Sequence, residues 1–260
     1  VPVIGDLMTA RWSFEAIAVK QFGNNRYERH YFDHRQAESQ NLYYSSFLIN
    51  SKLNGDLWFC KNNLDSISKK SEVEESFARI SYHIGELAQV TGFDAGSWVD
   101  SINIEQYNQN VNDNIVKLLA FLKKYFMDLK KQAAGRIDSV SKSLTNALGE
   151  NSLIDLRDNF ENQQLLTLVL NRDNKDIAFK TPSKYLQKLD PGYMKPTSRI
   201  GRAHFYAPCK VIGNIEIDTY WFNIIVVWAV TLILYLTLYF NLPEKLISFL
   251  ESFRLQKAEA

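Results

Sequence analysis

The chain has 260 residues, 46% of them hydrophobic, which is enough for a packed core in one large or two small domains. Thirty basic residues against 29 acidic ones leave a formal net charge of +1, so the chain lacks the basic footprint of a nucleic-acid-binding protein. Its two cysteines, Cys60 and Cys209, are too few for a disulfide scaffold, and whether they pair stays open.

The first segment, residues 1–23, has breakers at Pro2 and Gly5 and then a helical pattern that ends near Gly23. Its apolar residues cover too wide an arc for a simple surface helix. This pattern is typical of a buried helix or of a re-entrant or interfacial membrane segment, and periodicity does not separate the two. The chain begins with Val1 and has no signal sequence, which indicates a piece of a longer polypeptide.

Residues 24–170 are predicted to form a helical bundle or an antiparallel coiled coil. One helix is expected near residues 34–52, followed by the turn-prone pair Asn54 and Gly55 and then an irregular stretch. A second helix is expected to start at a capping box formed by Ser71 and Glu74 and to stop at Gly92. The fold class is therefore mainly α.

The longest apolar stripe runs from residue 111 to residue 148, about 57 Å if the helix is continuous. Gly135 is its expected kink or break, because a glycine inside a helix costs about 1 kcal/mol. A further helix is expected over residues 156–170. We interpret these stripes as core and not as a ligand site.

Residues 171–219 are rich in proline and glycine and predict an extended connector, with a short strand near 211–217. Residues 220–242 then form an uncharged run of 23 residues with aromatics at both ends. As a helix this run covers about 34 Å, against about 30 Å for a hydrocarbon core. It predicts one C-terminal transmembrane helix, followed by an amphipathic tail over residues 243–260.

Flanking charge predicts the orientation of this span in the bilayer. Lys245, Arg254 and Lys257 follow it closely, whereas only Lys210 precedes it within a similar distance. The tail is therefore expected in the cytoplasm, and the domain of residues 24–170 is expected to be extracytoplasmic.

Three polar side chains inside the span are candidates for packing against other helices: Asn223, Thr231 and Thr237. A threonine can bond the preceding turn of its own helix. An amide near the start of a membrane helix prefers a partner helix or a polar cavity, although solvation at the interface would also satisfy it.

No catalytic, cofactor-binding or metal-binding residue is predicted, so the chain by itself is not expected to be an enzyme. His30 and His34 stand four apart, but the glutamate of H-E-x-x-H and a third ligand are missing. The sequence contains no G-x-S-x-G motif for a serine hydrolase. None of the 11 glycines precedes a lysine, which excludes a P-loop.

The segment RWSFEAIAVKQF, residues 11–22, resembles the short re-entrant helical region after the fifth membrane helix of G-subfamily ABC transporters. Thr9 and Gln21 depart from the proline and glutamate that are usual in that family, which puts any role tied to those two residues in doubt. Residues 218–242 look like that family's last span. The matching motif residues are Arg11, Trp12, Phe14, Glu15, Ala16 and Phe22.

The resemblance implies a C-terminal fragment of a bacterial transporter that fuses an ATP-binding domain to a type-2 exporter permease. ATP and magnesium would then bind a domain outside this chain. The implied partners are the lipid bilayer, upstream transmembrane helices, the nucleotide-binding domain and a second permease half, and the implied location is the bacterial inner membrane. The alternative is a single-span membrane-anchored helical receptor or scaffold. A membrane-tethered hydrolase ranks below both.

Overall fold

The computed structural model describes Gly5, residues 8–93, residues 96–245 and Ser248. Most of the predicted amphipathic tail lies outside these residues. The chain divides into two compact units. Residues 22–194 form one, the helical unit, and residues 1–21 with 195–260 form the other, the terminal unit.

The described residues are mainly helical, as the sequence predicts. Eight α-helices account for most of them, and a π-helix over Tyr43–Leu53 joins the second to the third. The α-helices are α1 Thr9–Gly23, α2 Phe32–Leu42, α3 Asn54–Asn63, α4 Lys70–Thr91, α5 Gln109–Leu148, α6 Glu150–Phe160, α7 Gln163–Val169 and α8 Thr219–Tyr239.

Two antiparallel hairpins interrupt the predicted connector. The first pairs β1, Ala178–Lys180, with β2, Tyr185–Gln187, and belongs to the helical unit. The second pairs β3, Cys209–Ile212, with β4, Ile215–Asp218, and belongs to the terminal unit. Residues 171–219 are therefore divided between the two units and are not one extended connector.

The core of the helical unit forms where the apolar stripes of its helices meet. Helix α5 begins at Asn108, whose side chain accepts a hydrogen bond from the Val111 amide. From there an apolar residue returns every three or four positions, which keeps one face of α5 buried. The most deeply buried core side chains include Leu48, Ile49, Leu53, Phe77, Ile80, Ile84, Leu87, Ile115, Leu119 and Leu122.

Two local expectations in this unit are wrong. Helix α4 begins after Lys69 without a side-chain cap, so Ser71 and Glu74 lie inside the helix and do not form the predicted capping box. Helix α5 runs through Gly135 without a break, because packing continues on both sides of it: Ala133 is buried, and the Ser141 hydroxyl donates to the Tyr31 hydroxyl at 3.3 Å. Tertiary contacts of this kind outweigh a glycine cost of about 1 kcal/mol. Gly92 does end α4, in the left-handed conformation at φ 67°.

The predicted helix near residues 34–52 is longer than expected. Helical structure begins at Phe32 and continues through the π-helix and α3 to Asn63, so the expected turn at Asn54 is absent and the irregular stretch is shortened to residues 64–69. The reason is burial, since Leu53 and Leu57 on either side of Asn54 belong to the core. Local turn propensity gives way to that packing.

The chain enters and leaves the helical unit at neighbouring positions. The rings of Phe22 and Tyr193 lie 5.3 Å apart, centroid to centroid. Gly192 sits between this contact and α7, where an added Cβ would lie 2.6 Å from a Val169 methyl and 2.8 Å from the Phe22 ring. Only glycine fits there, so the close approach of the two ends is built into the packing.

Candidate functional site

The described residues contain one helix, α8, that is long and apolar enough to cross a membrane. Only 6% of its most apolar window is buried, whereas the core helix of a soluble protein would be mostly buried. Large apolar side chains such as Trp221, Trp228 and Leu238 are exposed along it. The helix ends at Tyr239, three residues earlier than predicted, and Asn241 then adopts a left-handed φ of 49°.

The first turn of α8 is fixed by side-chain hydrogen bonds. Asp218 caps the helix by accepting from the Tyr220 amide at 2.7 Å, and its negative charge suits the helix N-terminus. Thr219 is fully buried and donates its hydroxyl to the Ala207 carbonyl at 2.6 Å. These bonds hold the start of α8 against the residues that precede β3.

A buried carboxylate lies beside this first turn. Glu15 of α1 has no exposed surface, and its oxygens accept from the Lys210 ammonium at 3.0 and 3.2 Å. They also accept from the Asn223 amide at 2.9 Å and from the Tyr206 backbone N–H at 3.2 Å. Three segments that are far apart in sequence therefore meet at one side chain. We call Glu15, Lys210 and Asn223 the polar triad.

Asn223 connects α8 to α1 at a second point. Its side-chain nitrogen also donates to the Trp12 carbonyl at 3.2 Å, while its side-chain oxygen has no partner. Burying a side-chain amide without hydrogen-bond partners costs free energy, and here α1 supplies both acceptors for the Asn223 nitrogen. The sequence singled out this asparagine as a packing candidate, and the structure places it in contact with the motif helix.

Aromatic rings surround the triad. The Lys210 ammonium lies 5.6 Å from the centre of the Trp12 ring, and Trp12 and Phe222 pack 6.3 Å apart. Tyr206 has a left-handed φ of 68°, which directs its N–H toward Glu15. Burial, and then the Glu15 charge, raise the pKa of the Tyr206 hydroxyl. All three side chains of the triad are buried and therefore shielded from water.

The arrangement joins three segments of the terminal unit through a single carboxylate. Every oxygen of Glu15 has a donor, Lys210 is committed to Glu15, and neither side chain reaches solvent. Burying two charges costs desolvation free energy. Removing one partner of such a pair is strongly destabilising, because the other charge then stays buried without compensation. The effect of the triad is to fix α1, β3 and the start of α8 in one geometry.

The other predicted residues lie outside the triad. Arg11 stacks over the Trp12 and Phe205 rings at 5.1 and 5.6 Å, and Phe14 packs on Phe205 at 6.5 Å. Ala16 is buried. Thr231 and Thr237 donate only to carbonyls of their own helix, at 2.9 and 2.7 Å, and Phe22 lies in the helical unit.

The sequence did not identify Lys210 as a site residue. It was read only as a charge flanking the span. A signal was present, since Lys210 stands in the otherwise apolar run of β3 and alternates with Ile212 on one face of the strand. A lysine at an inward position of a strand requires a buried acid, but nothing in the sequence says which one.

A second buried polar group lies in the helical unit. Arg79 of α4 pairs with Asp56 at 2.9 Å, and the Tyr185 hydroxyl donates to the same carboxylate at 2.9 Å. His83 accepts from the Tyr185 N–H at 2.9 Å. These bonds tie the β1–β2 hairpin to α3 and α4, and they are closed to solvent. Nearby Cys60 is a free thiol, and burial raises its pKa to about 12.

The described residues contain no group of three or more metal ligands, and His30 and His34 gain no partner of that kind. An open groove of about 460 Å³ beside Phe93 is lined by small and apolar residues and by Gln89, with no ionisable group. No family model matches the chain, and neither does any curated protein or solved structure.

Proposed function

We propose that this chain is the permease portion of an ATP-driven exporter similar to the G-subfamily ABC transporters. In this proposal α8 is the last membrane span and α1 is the re-entrant helix packed beside it. The main supporting observation is the contact between Glu15, inside the motif RWSFEAIAVKQF, and Asn223 near the start of α8.

A simple membrane anchor needs one apolar helix, and here a second apolar segment is attached to it. Phe14 and Ile17 on α1 are 49% and 67% exposed. Exposed apolar surface on two adjoining elements calls for lipid or further helices to cover it. This supports a helix assembly in which upstream spans complete the membrane domain.

The proposal assigns the energy source to another part of the polypeptide. ATP and magnesium would bind a nucleotide-binding domain, and two permease halves would work as a pair. The helical unit would be an extracytoplasmic insert, and the tail would be in the cytoplasm at the bacterial inner membrane. The polar triad would keep the motif helix fixed to the last span while the two halves move.

The native reading frame gives the first test. It is expected to continue upstream of Val1 through a Walker A sequence and several apolar spans. A start codon directly before Val1 would contradict the proposal and favour the single-span receptor or scaffold.

Topology gives the second test. Single cysteines at Ala120 and Gln256, in a background with Cys60→Ser and Cys209→Ser, are labelled with an impermeant maleimide in intact cells and in inverted vesicles. Position 120 is expected to react only from outside and position 256 only from the cytoplasm. Labelling of both positions from the same side would refute a crossing span.

The role of the triad in the transporter is tested by measuring the ATPase rate of the full-length protein in proteoliposomes. Glu15→Ala is expected to lower the ATPase rate, because the motif helix loses its attachment to the span. Thr237→Val is the matched control, since that hydroxyl bonds only its own helix. Equal rates for the two variants, with both proteins folded, would contradict the role given to the triad.

A further inference from the structure

Three isoleucines form an exposed apolar surface at the end of the second hairpin. Ile200, Ile212 and Ile215 are 78%, 49% and 67% exposed. Ile212 pairs directly with Ile215 across the hairpin, so their side chains lie on the same face, and Ile200 bridges to Ile212. We call these three residues the isoleucine tip.

The tip is continuous with the start of α8. A Cβ added to Gly201 would lie 3.2 Å from the Phe222 ring and 3.7 Å from an Ile212 side-chain carbon. Phe222 of α8 and Ile212 therefore both border Gly201. Strand β4 also runs directly into the Asp218 cap of α8, so the tip lies about 10 Å along the strand from the helix start.

The hairpin has two distinct faces. Its apolar face includes Lys210, which reaches Glu15 of α1, so this face is turned toward the apolar helices. Its other face carries two carboxylates. By strand alternation the first face holds Lys210, Ile212, Ile215 and Ile217, and the second holds Cys209, Val211, Glu216 and Asp218.

Basic side chains outnumber acidic ones around the tip. Residues 195–218 contain four basic side chains and two acidic ones, Glu216 and Asp218. Lys210 is committed to the triad, and Lys195 lies 4.0 Å from Glu216. Arg199 directly precedes the tip, and its carbonyl accepts from the Gly213 N–H at 2.8 Å, which places its backbone at the hairpin turn.

We propose that the isoleucine tip docks into the membrane at the boundary between lipid headgroups and acyl chains, with Arg199 at the lipid phosphates. This inference rests on the proposed span of α8. In the proposed span the start of α8 lies in the headgroup layer, which is about 5–8 Å thick on each side of a bilayer. A hairpin that lies along the surface therefore keeps its tip, about 10 Å away along the strand, within that layer and next to the acyl chains. Exposed isoleucines beside arginine are typical of interfacial membrane contacts.

Depth-dependent fluorescence quenching tests the docking. The full chain, with Cys60→Ser and Cys209→Ser, carries one environment-sensitive label at Ile215→Cys, Glu216→Cys or Trp228→Cys in phosphatidylcholine nanodiscs. Lipids with a spin label near the headgroup are expected to quench position 215 strongly and position 216 weakly. Glu216 is the matched control, because it is the next residue but lies on the opposite face.

The three positions separate the possible outcomes. Quenching at 228 by lipids labelled deep in the acyl chain, without quenching at 215, would refute the docking and keep the span. No quenching at 228 would refute the span itself. A label at 215 that is protected from aqueous iodide but not quenched by lipid would mean that protein covers the tip, and this also refutes lipid docking.

The role of Arg199 has its own measurement. Adding phosphatidylglycerol to the nanodiscs is expected to increase lipid quenching at position 215, because an anionic headgroup attracts the guanidinium. Arg199→Gln should remove that increase while quenching at position 228 stays the same. An equal increase in the variant would overturn the assignment of Arg199 to the lipid phosphates.

Discussion

Replacing Lys210 with methionine tests the energetics of the polar triad most directly. The change keeps the unbranched shape and most of the length of the side chain but removes the ammonium that bonds both oxygens of Glu15. The carboxylate then keeps only two uncharged donors, the Asn223 amide and the Tyr206 N–H. Since the Glu15 and Lys210 side chains are 0% and 2% exposed, solvent cannot compensate for the lost charge.

Removing one partner of a buried ion pair costs about 3–5 kcal/mol. At about 1.4 kcal/mol per tenfold change, this loss lowers the hydrogen-exchange protection factors of the hairpin amides by roughly two to three and a half orders of magnitude. Hydrogen exchange in nanodiscs measures it at the Gly201 and Gly213 amides, which donate to Val211 and Arg199 carbonyls at 2.8 Å. These amides report local opening of the hairpin.

The double variant Glu15→Gln, Lys210→Met separates charge from packing. It removes both charges and keeps a side-chain oxygen at position 15 to accept from Asn223. The double variant is expected to regain most of the lost hydrogen-exchange protection, because an uncharged pair leaves no buried carboxylate. The reasoning is refuted if Lys210→Met changes protection by less than tenfold, or if the double variant is no better than the single one.

Three further predictions concern the helical unit. Ile80→Ala should lower its free energy of unfolding by about 2–5 kcal/mol in thermal or urea denaturation, whereas Val116→Ala, on an exposed part of α5, should change it by less than about 0.5 kcal/mol. Tyr185→Phe should cost about 1–3 kcal/mol in the same assay, because Asp56 loses a buried donor, and no change would contradict the hydrogen bond. Burial raises the pKa of the Cys60 thiol to about 12, against about 8.5 unfolded, so its stabilising contribution is complete below about pH 8.5 and falls as the pH rises toward 12. Cys60→Ala should therefore lose stability less steeply than the native chain between these values, and parallel pH profiles would rule this out.

Periodic patterns in the sequence predicted the long helices well. The stripe on α5 and the uncharged run of α8 are regular over many turns. The regular stripe leads to burial of one face of α5, and the uncharged run leads to exposed apolar surface along α8. Local signals were less reliable. The glycine at 135 and the turn-prone pair after Leu53 stay helical because neighbouring side chains are buried in the core.

The candidate site was predicted in part. Glu15 was marked by the motif and Asn223 by its place in an apolar helix, but Lys210 was not recognised. Lys210 and Glu15 are 195 residues apart, and a sequence gives no direct sign of which acid a lysine will meet. The buried group around Arg79 was missed for the same reason, since Asp56 and Tyr185 lie on other elements.

The contact between Phe22 and Tyr193 brings the first and last residues of the helical unit together. Because the chain enters and leaves this unit side by side, residues 22–194 can in principle be exchanged for a short loop without stretching the residues on either side. The same property suits an insertion that was gained as one piece. Deletion of residues 22–194, or their transfer into another protein, would therefore disturb the flanking backbone least at these two ends.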